Sequence, residues 1–270
     1  MKNSICLNSN TYHGYSIDDA IEGAYKSGYS YIELAAVRGY TEHVLPEMSD
    51  EELNTIKKKL SEKNIECIAI AGHSNLMEED GVKNFEKNIE LAKRMGSKFI
   101  TTATGETHDD DTEIADENVL INTLKSLAQK CQSYHIDLVI ETHGNNYATG
   151  KSIKDLAEKV NEPNFGITYD TANVLFYGNE MPYEDLESSA DKVKFVHLKD
   201  KLGADDEWHF PAIGKGNFDM NKIFGILKET DCQAPISIEV EFTSSGPKDL
   251  AEVDQAVNDS MQTVKGIVGK

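Results

Sequence analysis

Glu141, Asp170, His197 and Glu239 end four successive short apolar runs, and all four are side-chain types that bind divalent cations. Leu138-Val139-Ile140 leads into Glu141, Gly166-Ile167-Thr168-Tyr169 into Asp170, Phe195-Val196 into His197, and Ile236-Ser237-Ile238 into Glu239. They lie 29, 27 and 42 positions apart, about one strand-plus-helix unit each, with an insertion in the last interval. Three carboxylates and one imidazole form an oxygen-rich donor set that suits one Mn²⁺, with Mg²⁺, Co²⁺ or Zn²⁺ also accommodated. Three carboxylates gathered without a counter-charge would repel one another, and a cation removes that cost. Two coordination positions would stay open for a diol or hydroxy-ketone. The plain alternative is that acids at strand ends cap the following helices, which explains any one of the four more readily than all of them. Glu241 rivals Glu239, since alternation along a strand puts both on one side; Glu239 is preferred because it directly ends the apolar run.

Four strand ends converge only if the strands share one parallel, closed sheet. Short apolar or β-branched runs occur at 4–8, 29–35, 66–71, 98–102, 136–141, 165–170, 193–198 and 236–240, each suited to a buried parallel strand. Helical patterns lie between them. Ser49-Asp50-Glu51-Glu52 reads as a capping box. Leu120, Leu124, Leu127 and Cys131 mark one helix face, and Leu250, Val253, Val257, Met261 and Val264 another. Further helices are expected from near Ser16, Val82, Ser152, Pro182 and Phe218, with Pro182 suited to a first turn. Eight strands alternating with eight helices predict an α/β protein of one domain over residues 1–270, a (β/α)8 TIM barrel. A doubly wound open sheet competes, but no GxGxxG follows the first strand, which reads Cys6-Leu7-Asn8-Ser9-Asn10.

The 270 residues carry 27 Lys and Arg against 47 Asp and Glu, a net charge of −20. Such a surface repels nucleic acid and anionic lipid, so neither is expected as a partner. No run approaches the ~20 apolar residues of a membrane span. The N-terminus turns polar at Asn8 without the pattern of a secretory leader, so a cytoplasmic protein is expected. Cys6, Cys67, Cys131 and Cys232 form no CxxC pair and are expected as reduced, mostly buried thiols. The acidic run Asp109-Asp110-Asp111 is expected in a solvated loop.

The segments Ile140-Glu141-Thr142-His143-Gly144, Tyr169-Asp170-Thr171-Ala172-Asn173, Val196-His197-Leu198-Lys199-Asp200 and Ile238-Glu239-Val240-Glu241 resemble the sugar-phosphate isomerase/epimerase family, the xylose-isomerase-like TIM barrels. Gly72-His73-Ser74-Asn75 and Ile213-Gly214-Lys215-Gly216-Asn217-Phe218-Asp219 resemble further landmarks, and the likeness spans essentially the whole chain. It implies an enzyme of small sugars, keto-sugars or sugar phosphates whose metal sits on Glu141, Asp170, His197 and Glu239. By that resemblance Glu141 and Glu239 are also the catalytic pair: one removes the proton beside a carbonyl, the other returns one on the opposite face, and the metal steadies the enediolate. Which is the base is open. A dehydratase or lyase acting on a keto-inositol or 3-keto-glycoside would begin with the same step, and a non-catalytic sugar-binding barrel is a further alternative. Asn173 stands where many relatives carry histidine, which departs from the ketose 3-epimerase pattern. The endonuclease IV class shares the superfamily, and His73, His108, Glu141, Asp170, His197, Glu207-Trp208-His209 and Glu239 echo its three-zinc set; the charge argues against it. A homo-oligomer, dimer or tetramer, is expected by resemblance only.

His73, His143, Lys199 and His209 are assigned to substrate binding. Each has a plainer role: His73 bonded beneath a loop, His143 orienting Glu141, Lys199 paired with Asp200, His209 packed beside Trp208. Gly214-Lys215-Gly216 is either a phosphate grip through backbone N–H groups or a tight turn. Glu33, in Ile32-Glu33-Leu34, is read either as a substrate contact or as structural. His13, Arg38 and His43 receive no role.

Overall fold

The computed structural model describes residues 2–105 and 116–269. His108 and the acidic run 109–111 lie outside them. Eight parallel strands close a barrel: β1 (Ile5–Asn8), β2 (Tyr31–Val37), β3 (Glu66–Ala71), β4 (Phe99–Thr102), β5 (Asp137–Glu141), β6 (Phe165–Asp170), β7 (Val193–Leu198) and β8 (Ile236–Ile238). Each pairs with the next, and β8 returns to β1 with Ile5 opposite Ile236, Cys6 opposite Ser237 and Leu7 opposite Ile238. After each strand the chain returns through a helix: α1 (Ile17–Ser27), α2 (Asp50–Glu62), α3 (Glu79–Met95), α4 (Glu117–Gln132), α5 (Gly150–Val160), α6 (Pro182–Ser189), α7 (Met220–Glu229) and α8 (Leu250–Val268). The expected barrel is the observed one. Among the described residues no helix is long and apolar enough to cross a membrane. All four cysteines are free and buried, as expected.

The helix starts follow local chemistry. Ser16 with Asp19 and Ser49 with Glu52 form capping boxes at α1 and α2, and Pro182 opens α6. α3 begins at Glu79, three residues before Val82, because helix residues need not bury a side chain in the first turn. Gly28, at φ 79°, ends α1 in the left-handed region and delays β2 to Tyr31, two residues later than the apolar run suggests. β8 stops at Ile238: Val240 gives its N–H to Thr11 Oγ1 instead of a strand partner.

Side chains fill the barrel in layers. Cys6, Ile68, Ala69, Val139 and Phe195, from the odd strands, pack as one apolar cluster. Glu33, Thr101, Thr168 and Ser237, all buried and from the even strands, form a polar layer. Thr101 Oγ1 and Thr168 Oγ1 share a hydrogen bond, and Ser237 Oγ donates to Glu33. In the β2–β3 pairing Ile32 lies opposite Cys67 and Glu33 opposite Ala69, so Ile68 is an extra residue on β3 at this level. Two residues further along the strands, alternation brings Asn8, Ala71, Glu141 and His197 to the C-terminal mouth. Short extra pairings trim that end: Thr41–Glu42 runs antiparallel to the end of β2, and His209–Phe210 pairs with Phe242–Thr243.

Candidate metal centre and active site

One ligand-type atom from each of Glu141, Asp170, His197 and Glu239 lies within 4.8 Å of the other three. All four residues are buried. Glu141 and Asp170 are the last residues of β5 and β6, His197 lies in β7, and Glu239 follows β8 directly. His197 stands between two carboxylates: Nδ1 is 2.7 Å from Glu141 Oε1, and Nε2 is 3.0 and 3.1 Å from the Glu33 oxygens. Glu239 Oε2 is 3.8 Å from His197 Nδ1, and its Oε1 accepts from Asn10 Nδ2 at 2.9 Å. Asp170 Oδ1 accepts the backbone N–H groups of Ala172 and Asn173, both at 2.9 Å, which turns the chain sharply out of β6.

Opposing effects set the ionisation of the cluster. Burial disfavours the Glu141 carboxylate, but the charges and hydrogen bonds of His197 and His73 outweigh it and hold the group well below the usual range. Burial likewise disfavours charged His197, and Glu33 and Glu141 overcome it, raising that imidazole well above its ordinary value. Burial pushes Asp170 up to about 7 against the pull of Lys199. Asp170 Oδ2 is buried without a hydrogen bond, its polar neighbour being the Lys199 ammonium at 3.2 Å. A divalent cation fits this set. It would take the bare Asp170 oxygen and displace the proton from His197 Nδ1, while Glu33 holds Nε2–H and orients the ring.

The remaining sequence-predicted residues divide. His73 borders the cavity above the cluster and bonds Glu141 Oε2 through Nε2 at 2.6 Å. His73 thus orients Glu141. His143 borders the cavity too, its ring 4.6 Å from that of Tyr177. Lys199 lines the cavity, but its ammonium is engaged by Asp170, by Glu239 at 3.6 Å and by Glu241 at 2.5 Å, and not by Asp200. His209 is not brought to this mouth. It lines a separate cavity with Lys215 and Lys248, because alternation along the short strand sends Trp208 and His209 to opposite sides. Trp208 lines the mouth and packs edge-on against Phe210 and Phe176. Asn173 also borders the cavity, its Oδ1 3.4 Å from Lys199 Nζ.

Gly214-Lys215-Gly216 is a turn whose N–H groups are already taken. Asp200 accepts from Lys201, Gly214, Gly216 and Phe218, and is fully buried. Sequence reasoning did not single out Asn10, Asn8 or Tyr40, all of which border the cavity. The polar run Asn8-Ser9-Asn10 at the end of β1 was the available signal for the first two. Glu33 is completely buried under the cluster and touches His197 and Ser237 only from below. The cavity encloses about 320 Å³, the small end of the ~300–1,000 Å³ typical of ligand sites.

Residues 21–262 match the family model described as the xylose isomerase-like TIM barrel. An inosose dehydratase of Clostridium botulinum is 26% identical over 260 residues, spanning 82% of this chain and 83% of that protein. A 3-dehydroshikimate dehydratase of Bacillus anthracis is 24% identical over 214 residues, spanning 76% of this chain and 74% of its own. The crystal structure of a D-allulose 3-epimerase from Methylomonas sp. superposes with a TM-score of 0.78 over 98% of both chains at 19% identity, a likeness of fold.

Proposed function

The chain belongs to the xylose isomerase-like TIM barrel family, and from that membership we propose a divalent-metal-dependent isomerase or epimerase of a small keto-sugar, sugar or sugar phosphate. The observation that carries the reading is the buried quartet, Glu141, Asp170, His197 and Glu239, converging at the mouth of the barrel. These residues would hold the ion, with Mn²⁺ the preferred occupant. When bound, it would draw charge from the substrate's carbonyl oxygen and so make the neighbouring C–H more acidic. Glu141 and Glu239 carry the proton: one carboxylate oxygen takes it from the carbon beside the carbonyl, and the other glutamate delivers one to the opposite face. Glu141 is held ionised by its histidine partners, and His73, bordering the cavity, offers its proton a path outward. Asn10 keeps Glu239 in place.

A second reading is supported by Lys199. Its buried ammonium borders the same cavity. After the same proton abstraction it could protonate a hydroxyl leaving from the next carbon, which completes a dehydration. The names of the inosose and 3-dehydroshikimate dehydratases among the relatives belong to that reaction class.

The test combines metal analysis with solvent exchange. Protein loaded with Mn²⁺ should retain about one ion per chain, lost in Glu239→Gln and kept in Glu241→Gln. Incubated in D₂O with ketohexoses and keto-inositols, it should place deuterium on the carbon beside the carbonyl, and Glu141→Gln should abolish this. Retained hydroxyls mark an isomerase or epimerase; loss of water marks a dehydratase. A loaded protein that exchanges no proton in any keto-polyol is a binding barrel, and the enzymatic reading fails.

A further inference from the structure

We propose that the substrate is an uncharged keto-polyol of monosaccharide size, and neither a sugar phosphate nor a keto acid. The inference rests on the proton-transfer reading above and narrows its substrate.

Among the described residues that border the cavity, Lys199 is the sole lysine or arginine, and three carboxylates surround its ammonium. His73 and His197 are bonded to Glu141 and Glu33. Five carboxylates, those of Glu33, Glu141, Asp170, Glu239 and Glu241, gather at or just beneath the floor of the site. A divalent ion and one ammonium leave this group net negative. A phosphate or a second carboxylate brought beside it meets repulsion with no spare cation to answer it.

The loop that could have gripped a phosphate is closed by the chain itself. The N–H groups of Gly214 and Gly216 point at Asp200 Oδ2, at 2.8 and 2.9 Å. Asp200 thus occupies the anion position such a turn provides. Lys215, between the two glycines, borders the other cavity with His209. The ten residues that follow Gly105 in sequence carry five acids and no lysine or arginine.

What the cavity does offer suits a neutral polyol. Asn8, Asn10, Ser74, Asn75 and Asn173 supply uncharged hydrogen-bonding groups. Ala35, Val37, Tyr40, Ala71, Ala103 and Trp208 form an apolar wall that suits the C–H face of a sugar or cyclitol ring.

Matched ligand pairs test this on the Mn²⁺-loaded protein: D-fructose with D-fructose 6-phosphate, D-allulose with its 6-phosphate, and the methyl ester of 3-dehydroshikimate with the free acid. Within a pair the ketone and its neighbouring hydroxyls are the same; the phosphate pairs differ in charge and bulk at the remote carbon, and the ester and acid, nearly matched in size, read the charge. Calorimetry gives affinity, and deuterium uptake from D₂O gives turnover. In each pair that binds, the neutral member should bind at least about tenfold more tightly and exchange faster. A preference below tenfold, or one for the anion, overturns the inference and leaves the proton-transfer reading standing. If no member of any pair binds or exchanges, the proton-transfer reading falls and takes this inference with it.

Discussion

Asp170 is the residue at which proton and metal compete most directly. Its carboxyl is pushed up to about 7 by burial, whereas an unfolded chain loses that proton near pH 4. Between these values the folded chain binds the proton more tightly, so with no cation added this group's contribution to stability declines as pH rises from about 4 to about 7. A cation taking Asp170 Oδ2 must expel the proton. Because His197 Nδ1 must lose its proton as well, Mn²⁺ affinity is expected to rise about a hundredfold per pH unit up to about 7 and about tenfold per unit above it, until His197 is itself deprotonated. Calorimetry at several pH values, in buffers of different ionisation heat, reads both slope and proton release. A slope that does not halve near pH 7 would remove Asp170 from the ligand set. Glu33 acts through another residue, by fixing which nitrogen of His197 faces the cluster. Glu33→Gln should weaken Mn²⁺ binding by about 10–100-fold and leave the near-ultraviolet dichroism of the fold intact. Unchanged affinity would reduce Glu33 to a packing role. The quartet was legible in the sequence because each member ends an apolar run. Glu33 reads in sequence as a substrate contact or as structural, and its place beneath His197 was not legible, because β2 continues to Val37 and buries it mid-strand, a place a carboxylate occupies only with partners. Its partners are His197, 164 positions away, and Ser237.

At the scale of elements, period and capping made the eight βα units readable, and the connections were not. His209 illustrates the limit. Adjacency in sequence placed it beside Trp208, and only the pairing of His209–Phe210 with Phe242–Thr243 decides which side each faces. Lys199 next to Asp200 suggested a local ion pair, yet the barrel turns Lys199 inward to the carboxylates and Asp200 toward a ring of amides. His43 had no assignment, and the structure makes it a tie between the β1 and β2 ends. Its Nδ1 is 2.9 Å from Ser9 Oγ, its Nε2 donates to the Tyr15 carbonyl at 3.2 Å, and Ser9 Oγ accepts from Ala35 N–H. Burial lowers its affinity for a proton. The unfolded chain gains that proton below about 6.5 and the folded chain resists, so stability is lost as pH falls through and below that value. His43→Gln should flatten this acid limb in urea titrations between pH 7 and 5. An identical pH dependence in the variant would place the sensitivity elsewhere.

At the scale of the whole molecule, the −20 charge opposes compaction, and mobile ions screen it. With a chelator present to exclude specific cations, the melting temperature is expected to rise by about 2–4 °C between 10 mM and 150 mM NaCl, equivalent to about 1 kcal/mol. A melting temperature indifferent to salt would show that the exposed ion pairs, such as Lys59 with Asp18 and Lys154 with Asp191, already balance the surface locally.

Closure of the barrel also has a consequence for how the chain is made. β1 is made before the other barrel strands, and one of its edges waits for Ile236–Ile238, 231 positions downstream of Ile5. At about 5–20 residues per second, that wait lasts roughly 10–50 s. Until β8 is made, the strands already synthesised can form at most an open sheet with an unsatisfied edge at each end, the kind of surface that chaperones and stray strands recognise. The speed of translation between the codons of β1 and those of β8 should then set how long that edge stays open.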